Sequence, residues 1–194
     1  RRQRQMCIRD SIEDDKKHEF YGKVLNQTNR MNDIIDDLLR LSKIESKEED
    51  SSIELVDMEI KAILEGSVDD VLDKAQDNNN RILINCGDIR ANVDAQLLRE
   101  AVANLLENSI KYGDSGRDIK IIAEVGTQVL IHIENSGQRI SDKHRDKIFQ
   151  RFYRVDKSRD RKAGGTGLGL AIVKHIALVL SLIHISEPTR PSSI

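Results

Sequence analysis

Four residues between positions 100 and 111 have the types and spacing to hold a charged ligand. Glu100, Asn104, Asn108 and Lys111 follow one another at steps of four, four and three, which sets all four on one face of a helix. The carbonyl oxygen of an asparagine such as Asn104 suits a hard cation such as Mg2+, and the ammonium of Lys111 can neutralise phosphate oxygens. A carboxylate, two amides and a cation do not form a buried stripe unless they face a ligand or water. A solvated helix surface has the same composition. Asparagine twice in mid-helix runs against propensity, however, and points to selection by something other than local stability.

A second cluster is "AGGTGLGLAIVKH" at 163–175, with glycine at 164, 165, 167 and 169 directly ahead of an apolar helix pattern. Such a cluster marks a backbone that turns sharply or approaches something closely. The helix start behind it presents unpaired N–H groups and a partial positive charge, a site for an anion and most often for a phosphate. Two further stretches say little alone. "ENSGQRI" at 134–140 ends a strand in an ordinary Asn-Ser-Gly turn. "IFQRFYR" at 148–154 mixes aromatic and basic groups, as a core plug flanked by surface arginines also would.

These residues need elements to position them, and the periodicity supplies candidates. Residues 12–46 read as one long polar helix, with Phe20, Val24, Thr28, Met31, Ile35 and Leu38 forming the seam of a helical bundle or coiled coil. "SKEEDSS" at 46–52 reads as a linker. A compact α+β stretch follows: a strand in "IELVDMEI", a helix near 60–75, a strand at 81–86 and an amphipathic helix from Asp94 to Gly113. The apolar face of that helix carries Leu97, Val102 and Leu105. Two strands joined at Gly126-Thr127, a short helix opened by Ser141, a charged loop and the last helix complete it.

The bulk numbers exclude several classes. A net charge of -2 over 194 residues gives no reason to expect nucleic acid or an anionic membrane as partner. The chain has no tryptophan and only 3% aromatic residues, too few for a base-stacking surface. Cys7 and Cys86 make neither a metal spacing nor a disulfide framework, in keeping with a reduced setting. The apolar run at 176–185 is too short to span a bilayer, and residues 1–11 lack the apolar stretch of a secretory signal.

In this order the pieces resemble the ATP-binding domain of bacterial sensor histidine kinases, within the wider ATPase family of gyrase B, heat-shock protein ninety and MutL. "NLLENSIKY" at 104–112 is similar to the N box, "ENSGQRI" to the first glycine box, "IFQRFYRVDKSR" at 148–159 to the F box, and "GGTGLGLAIVKHI" at 164–176 to the second glycine box. "RMNDIIDDLLRLSKIES" at 30–46 resembles the end of the second helix of the dimerisation and histidine-phosphotransfer domain. The resemblance covers about residues 12–179. It implies ATP and Mg2+ as cofactors, with Asn104 on the metal, Asn108 and Lys111 on the phosphates and Tyr112 lining the nucleotide. Glu100 would polarise Asn104 or a nearby water. Asn135 and Gly137 of the first glycine box would meet the base. The loop 154–166 would be a lid, with Arg154 on a phosphate. Gly165, Thr166, Gly167, Leu168 and Gly169 of the second glycine box would let the backbone approach the phosphates.

The sequence departs from the family pattern at identifiable places. The base-reading aspartate is replaced by Asn135, which keeps an acceptor oxygen without the charge, and the second glycine of that box is Arg139. The phosphoacceptor motif, His-Glu-Leu-Arg-Thr-Pro or similar, does not occur. His18 falls on the second bundle helix, so the helix carrying the acceptor is expected to precede residue 1. Residues 1–11 and 181–194 are similar to translated sequencing-adapter read-through and are expected to lie outside the domain.

The expected fold is therefore an α+β two-layer sandwich of the Bergerat type, a mixed sheet with helices on one face. A long bundle helix (12–46) and a linker (47–52) precede a catalytic domain (53–180) whose closing strands are missing. The resemblance implies a histidine protein kinase as parent, with a response regulator as partner and a homodimeric full-length protein. It also implies a cytoplasmic position without membrane contact in this segment, and no autophosphorylation by this chain alone. A gyrase-type ATPase switch and a non-catalytic nucleotide-binding module of the anti-sigma or degenerate-kinase kind are the alternatives.

Overall fold

The computed structural model describes residues 2–49, 53–155 and 165–180, and within the first helix the side chains of residues 17–46. The elements are α1 (Arg2–Glu49), β1 (Val56–Glu59), α2 (Ile60–Asp69), α3 (Leu72–Asp77), β2 (Arg81–Cys86), β3 (Arg90–Val93), α4 (Ala95–Tyr112), β4 (Asp118–Val125), β5 (Val129–Glu134), α5 (Asp142–Arg145) and α6 (Gly169–Val179).

Period-two alternation builds the main sheet. Ile119, Ile121 and Ala123 of β4 are buried. β2 pairs parallel to β4, with Ile82 opposite Ile119 and Ile84 opposite Ile121. β5 pairs antiparallel, with Ile133 opposite Ile121 and Ile131 opposite Ala123. All these side chains share one face. A parallel pair needs a crossover, and β3 with α4 provides it. The sheet is thus mixed, in the order β2-β4-β5, and β5 is an edge among the described residues. β1 and β3 form a separate antiparallel pair, from Val56–Val93 to Glu59–Arg90.

The helices cover one face, as expected. Ile60, Ile63 and Leu64 of α2 and Leu98, Val102, Leu106 and Ile110 of α4 pack with Ile119 and Ile121 in the main core. A second cluster lies beyond α4, where Leu97 and Ala101 meet Ile172 and Ile176 of α6 and Leu41 and Ile44 of α1. α4 is therefore packed on two sides, which leaves a narrow strip for its polar residues. Arg99 ties α4 to the end of α2 by donating to Asp70 at 2.7 and 2.6 Å. That guanidinium holds the Asp70 carboxyl below its usual range, against a smaller opposing effect of burial.

Three boundaries differ from those the pattern predicts. α1 begins at Arg2 and ends at Glu49 rather than spanning 12–46. The helix near 60–75 is broken at Val71, which leaves helical geometry (φ -118°, ψ 5°) and buries its side chain to 1% exposure. β3 was not anticipated: four residues, "RANV", are too short to show a period. Its partner β1 and the Arg90–Asp57 hydrogen bond of 2.9 Å define it. Residues 156–164 of the loop 154–166 expected as a lid, and the segment 181–194, lie outside the described residues.

Candidate nucleotide site

α4 is held at both ends. Asp94 stands at its N-cap in extended geometry and accepts from Leu97 N at 3.0 Å, satisfying one of the helix's first free donors. Gly113 closes it, with its N–H on Ser109 O at 2.9 Å. Between these caps the two asparagines bend back on their own helix. Asn104 Nδ2 donates to Glu100 O at 2.9 Å, and Asn108 Nδ2 donates to Asn104 O at 3.0 Å. This back-bonding consumes donors and leaves the Asn104 amide oxygen directed off the helix.

That oxygen faces the glycine-rich segment. A Cβ on Gly169, the first residue of α6, would stand 3.0 Å from Asn104 Oδ1 and 3.7 Å from Asn108 Nδ2. Gly165 (φ +133°) lies against Lys111, whose Nζ a Cβ there would strike. The same Nζ lies 5.0 Å from the centre of the Tyr112 ring. Asn104, Asn108 and Lys111 are thus brought together against Gly165–Gly169, a close-packed cradle in which the glycines let the backbone approach these side chains. Glu100 is half-buried one turn before Asn104.

Gly167 meets the backbone of Phe152. Its carbonyl accepts from Phe152 N at 2.9 Å. Its φ is +77°, and a Cβ would come within 3.0 Å of the Phe152 backbone. Phe152 itself adopts φ 63°, unusual for an aromatic residue. Half-buried Arg154 follows it, and Tyr153 is fixed by a 2.6 Å hydrogen bond between its hydroxyl and His144 Nδ1. Thr166 Oγ1 accepts from Leu168 N at 3.1 Å and donates to Asp37 Oδ2 at 2.6 Å. The Leu168 side chain is wholly buried in the second cluster and faces the core, away from the cradle.

The first glycine turn meets the other end of α4. Gly113 and Gly137 form an antiparallel bridge, and Asp114 N donates to Ser136 O at 2.8 Å. A Cβ on Gly137 would press to 2.8 Å from Tyr112 O, so close backbone approach is what requires glycine there. Asn135 is exposed beside this bridge, and Tyr112 is 49% exposed. Arg139 is not among the residues with positive φ, so arginine fits the turn without strain.

Sequence reasoning did not single out the contacts from α1. Asp37 reaches Thr166, and Glu45 pairs with Arg151. Both acids sit in a uniformly charged helix, where nothing local distinguishes them. Burial pushes the Asp37 carboxyl above its usual range, with Glu107 and Asp33 adding to the rise and the Thr166 hydroxyl and Arg40 opposing it.

The comparisons with known proteins give the family and the fold. Residues 93–193 match the family described as histidine kinase-, DNA gyrase B-, and HSP90-like ATPase, and the chain belongs to that family. The sensor-like histidine kinase SenX3 of Mycolicibacterium smegmatis is 35% identical over 162 residues, which cover 81% of this chain and 41% of that protein. The sensor histidine kinase WalK of Bacillus subtilis is 32% identical over 156 residues, covering 78% and 25%. The chain thus spans less than half the length of either relative. Among solved structures, the Acinetobacter baumannii histidine kinase AdeS shares the fold, with a TM-score of 0.62 at 24% identity over 82% of this chain and 72% of that one.

The residues present fit a magnesium–nucleotide. The outward amide oxygen of Asn104 suits a hard cation, the Lys111 ammonium suits phosphate, and glycine at 165 and 169 lets the start of α6 lie close against both. Among the described residues no helix is long and apolar enough to cross a membrane, and no cluster of three or more His, Cys, Asp or Glu side chains could hold a metal ion alone. A cation here would therefore depend on nucleotide oxygens as well as on Asn104.

Proposed function

We propose that this chain is the ATP-binding catalytic portion of a two-component sensor histidine kinase, a cytoplasmic segment of the full-length protein. The parent reaction moves the γ-phosphoryl group of ATP to a histidine on a helical bundle and then to an aspartate of a response regulator. The observation that carries this reading is the convergence of Asn104, Asn108 and Lys111 on Gly165–Gly169. Bound Mg2+ would neutralise phosphate charge. The chain's own share is positioning: Asn104 offers its amide oxygen to the metal, Lys111 its ammonium to the phosphates, Asn108 its amide alongside, and Tyr112, Asn135 and Gly137 line the base end. Arg154 and the lid would cover the phosphates.

α1 supports the second part of the proposal. Its seam residues Phe20 (63%), Met31 (56%) and Ile35 (50%) are exposed, as expected of a helix that completes a bundle with a partner. On this reading residues 12–46 are the second bundle helix and 53–180 the catalytic domain. The sequence contains no phosphoacceptor motif, and His18 is exposed on α1, so labelled ATP should leave no acid-labile phosphate on this chain alone.

A regulatory nucleotide-binding module without catalysis is the second reading, favoured by Asn135 in place of an aspartate. Calorimetry tests the site itself. Asn104→Ala should abolish the Mg2+-dependent part of ATP or ADP affinity, while equal binding by both proteins with and without Mg2+ would remove Asn104 from the site. Transfer of label to a separately supplied acceptor bundle then separates the kinase from the regulatory module.

A further inference from the structure

We propose that Asn80 is a positioning residue for base recognition, clamping through Asp114 the turn that carries Asn135. This rests on the nucleotide reading above. Asn80 is 8% exposed, one of few buried polar side chains. Its Nδ2 donates to Asp114 O at 3.0 Å and to Arg117 O at 2.8 Å. Its Oδ1 accepts from Asn78 Nδ2 at 2.7 Å, and its backbone N–H bonds Ala75 O at 2.8 Å. The side chain therefore spends its donors on two carbonyls of one loop, 114–117.

Asn78 reinforces the clamp from the same turn. Its Nδ2 also donates to Ile110 O at 2.9 Å, one of the last carbonyls of α4, which the helix itself cannot satisfy. Its own carbonyl accepts from Ser115 Oγ at 2.7 Å and Gly116 N at 3.2 Å. Asn79 between them takes φ 57°, a conformation asparagine tolerates better than most residues. Asn78 and Asn80, on either side of that residue, thus grip both the end of α4 and the loop that follows it.

The link to the base end runs through a single residue. Asp114 is bound on its carbonyl side by Asn80 and on its N–H side by Ser136 O at 2.8 Å. The adjoining Gly113–Gly137 bridge holds the backbone on either side of that contact. Asn135 lies beside it: a Cβ on Gly113 would be 3.1 Å from Asn135 Nδ2. The hydrogen bonds of Asn80 go to Ala75, Asn78, Asp114 and Arg117, and neither Asn104 nor Gly169 is among these partners. Loosening Asn80 should therefore disturb reading of the base and spare the phosphates.

The test is the ratio of ATP to GTP dissociation constants, each with Mg2+, for the full chain. Asn80→Asp keeps the acceptor used by Asn78 and removes both donors. It should weaken ATP binding by roughly three- to tenfold, the scale of one lost neutral hydrogen bond, and change GTP binding little, so that the ratio moves towards one. Ser115→Ala, exposed and milder, should move the ratio the same way by less, and it decides the question if circular dichroism shows Asn80→Asp to be unfolded. Equal loss of ATP and GTP, an unchanged ratio, or a wild type that does not distinguish the two overturns the positioning role alone. A wild type that binds neither nucleotide overturns the nucleotide reading and this role with it.

Discussion

Asp37 of α1 and Thr166 of the glycine-rich segment are joined by a 2.6 Å hydrogen bond, with Thr166 Oγ1 donating to the carboxylate. The bond fastens the long helix to the start of α6. Burial first, with Glu107 and Asp33 beside it, raises the Asp37 pKa against the opposing Thr166 hydroxyl and Arg40. The native state therefore holds its proton to higher pH than the unfolded state does. The stability tied to the protonated form is present below the ordinary carboxylate range and is lost as pH rises through the raised pKa.

Asp37→Asn imitates the protonated form and keeps an acceptor for Thr166. Its thermal midpoint should match the wild type in acid and exceed it at neutral pH, the gap opening across the window between the ordinary and the raised pKa. A gap independent of pH would remove the carboxylate as its cause. The substitution also takes a negative charge from the start of α6, so ADP should bind about two- to fivefold more tightly, the scale of one charge at a helix N-terminus.

Gly169→Ala separates binding from stability. Alanine favours a helix over glycine by about 1 kcal/mol, so folding should not suffer. The added Cβ would stand 3.0 Å from Asn104 Oδ1, so the amide proposed to hold the metal must shift. Nucleotide affinity measured by calorimetry should fall at least tenfold while the denaturation midpoint holds or rises. Unchanged affinity would mean that the cradle is not where the ligand sits.

Gly167→Ala should behave oppositely. Its φ of +77° and the Phe152 backbone 3.0 Å from a Cβ leave no easy relaxation. A loss of about 1–3 kcal/mol in urea unfolding is expected, the usual strain of a non-glycine residue held in that region. A smaller loss would show that the Phe152–Gly167 closure opens readily.

Asn135→Asp should restore a charged acceptor at the base end. A hydrogen bond to a charged group contributes about 1.5–3 kcal/mol, against roughly 1 for a neutral one. ATP binding should tighten more than GTP binding in a competition titration, and a constant ratio would mean that residue 135 does not read the base.

Much of this architecture was legible in local patterns. α4 shows its period, its Asp94 cap and its Gly113 stop within one stretch of chain, and β2, β4 and β5 announce themselves by alternation and by the turn at Gly126. The shared helix face of Asn104, Asn108 and Lys111 was legible too, by spacing alone. What local pattern cannot carry is a relation between distant segments. The strand β3 exists through pairing with β1, and the break at Val71 through burial in the core. The reach of Asp37 to Thr166 and the grip of Asn80 on Asp114 join residues far apart in sequence. A polar side chain's role depends on what tertiary packing sets opposite it. Spacing along the chain could nominate the Asn104 face, whereas the partners of Asp37 and Asn80 were decided only when α1, the "NNN" turn and the glycine segments came together.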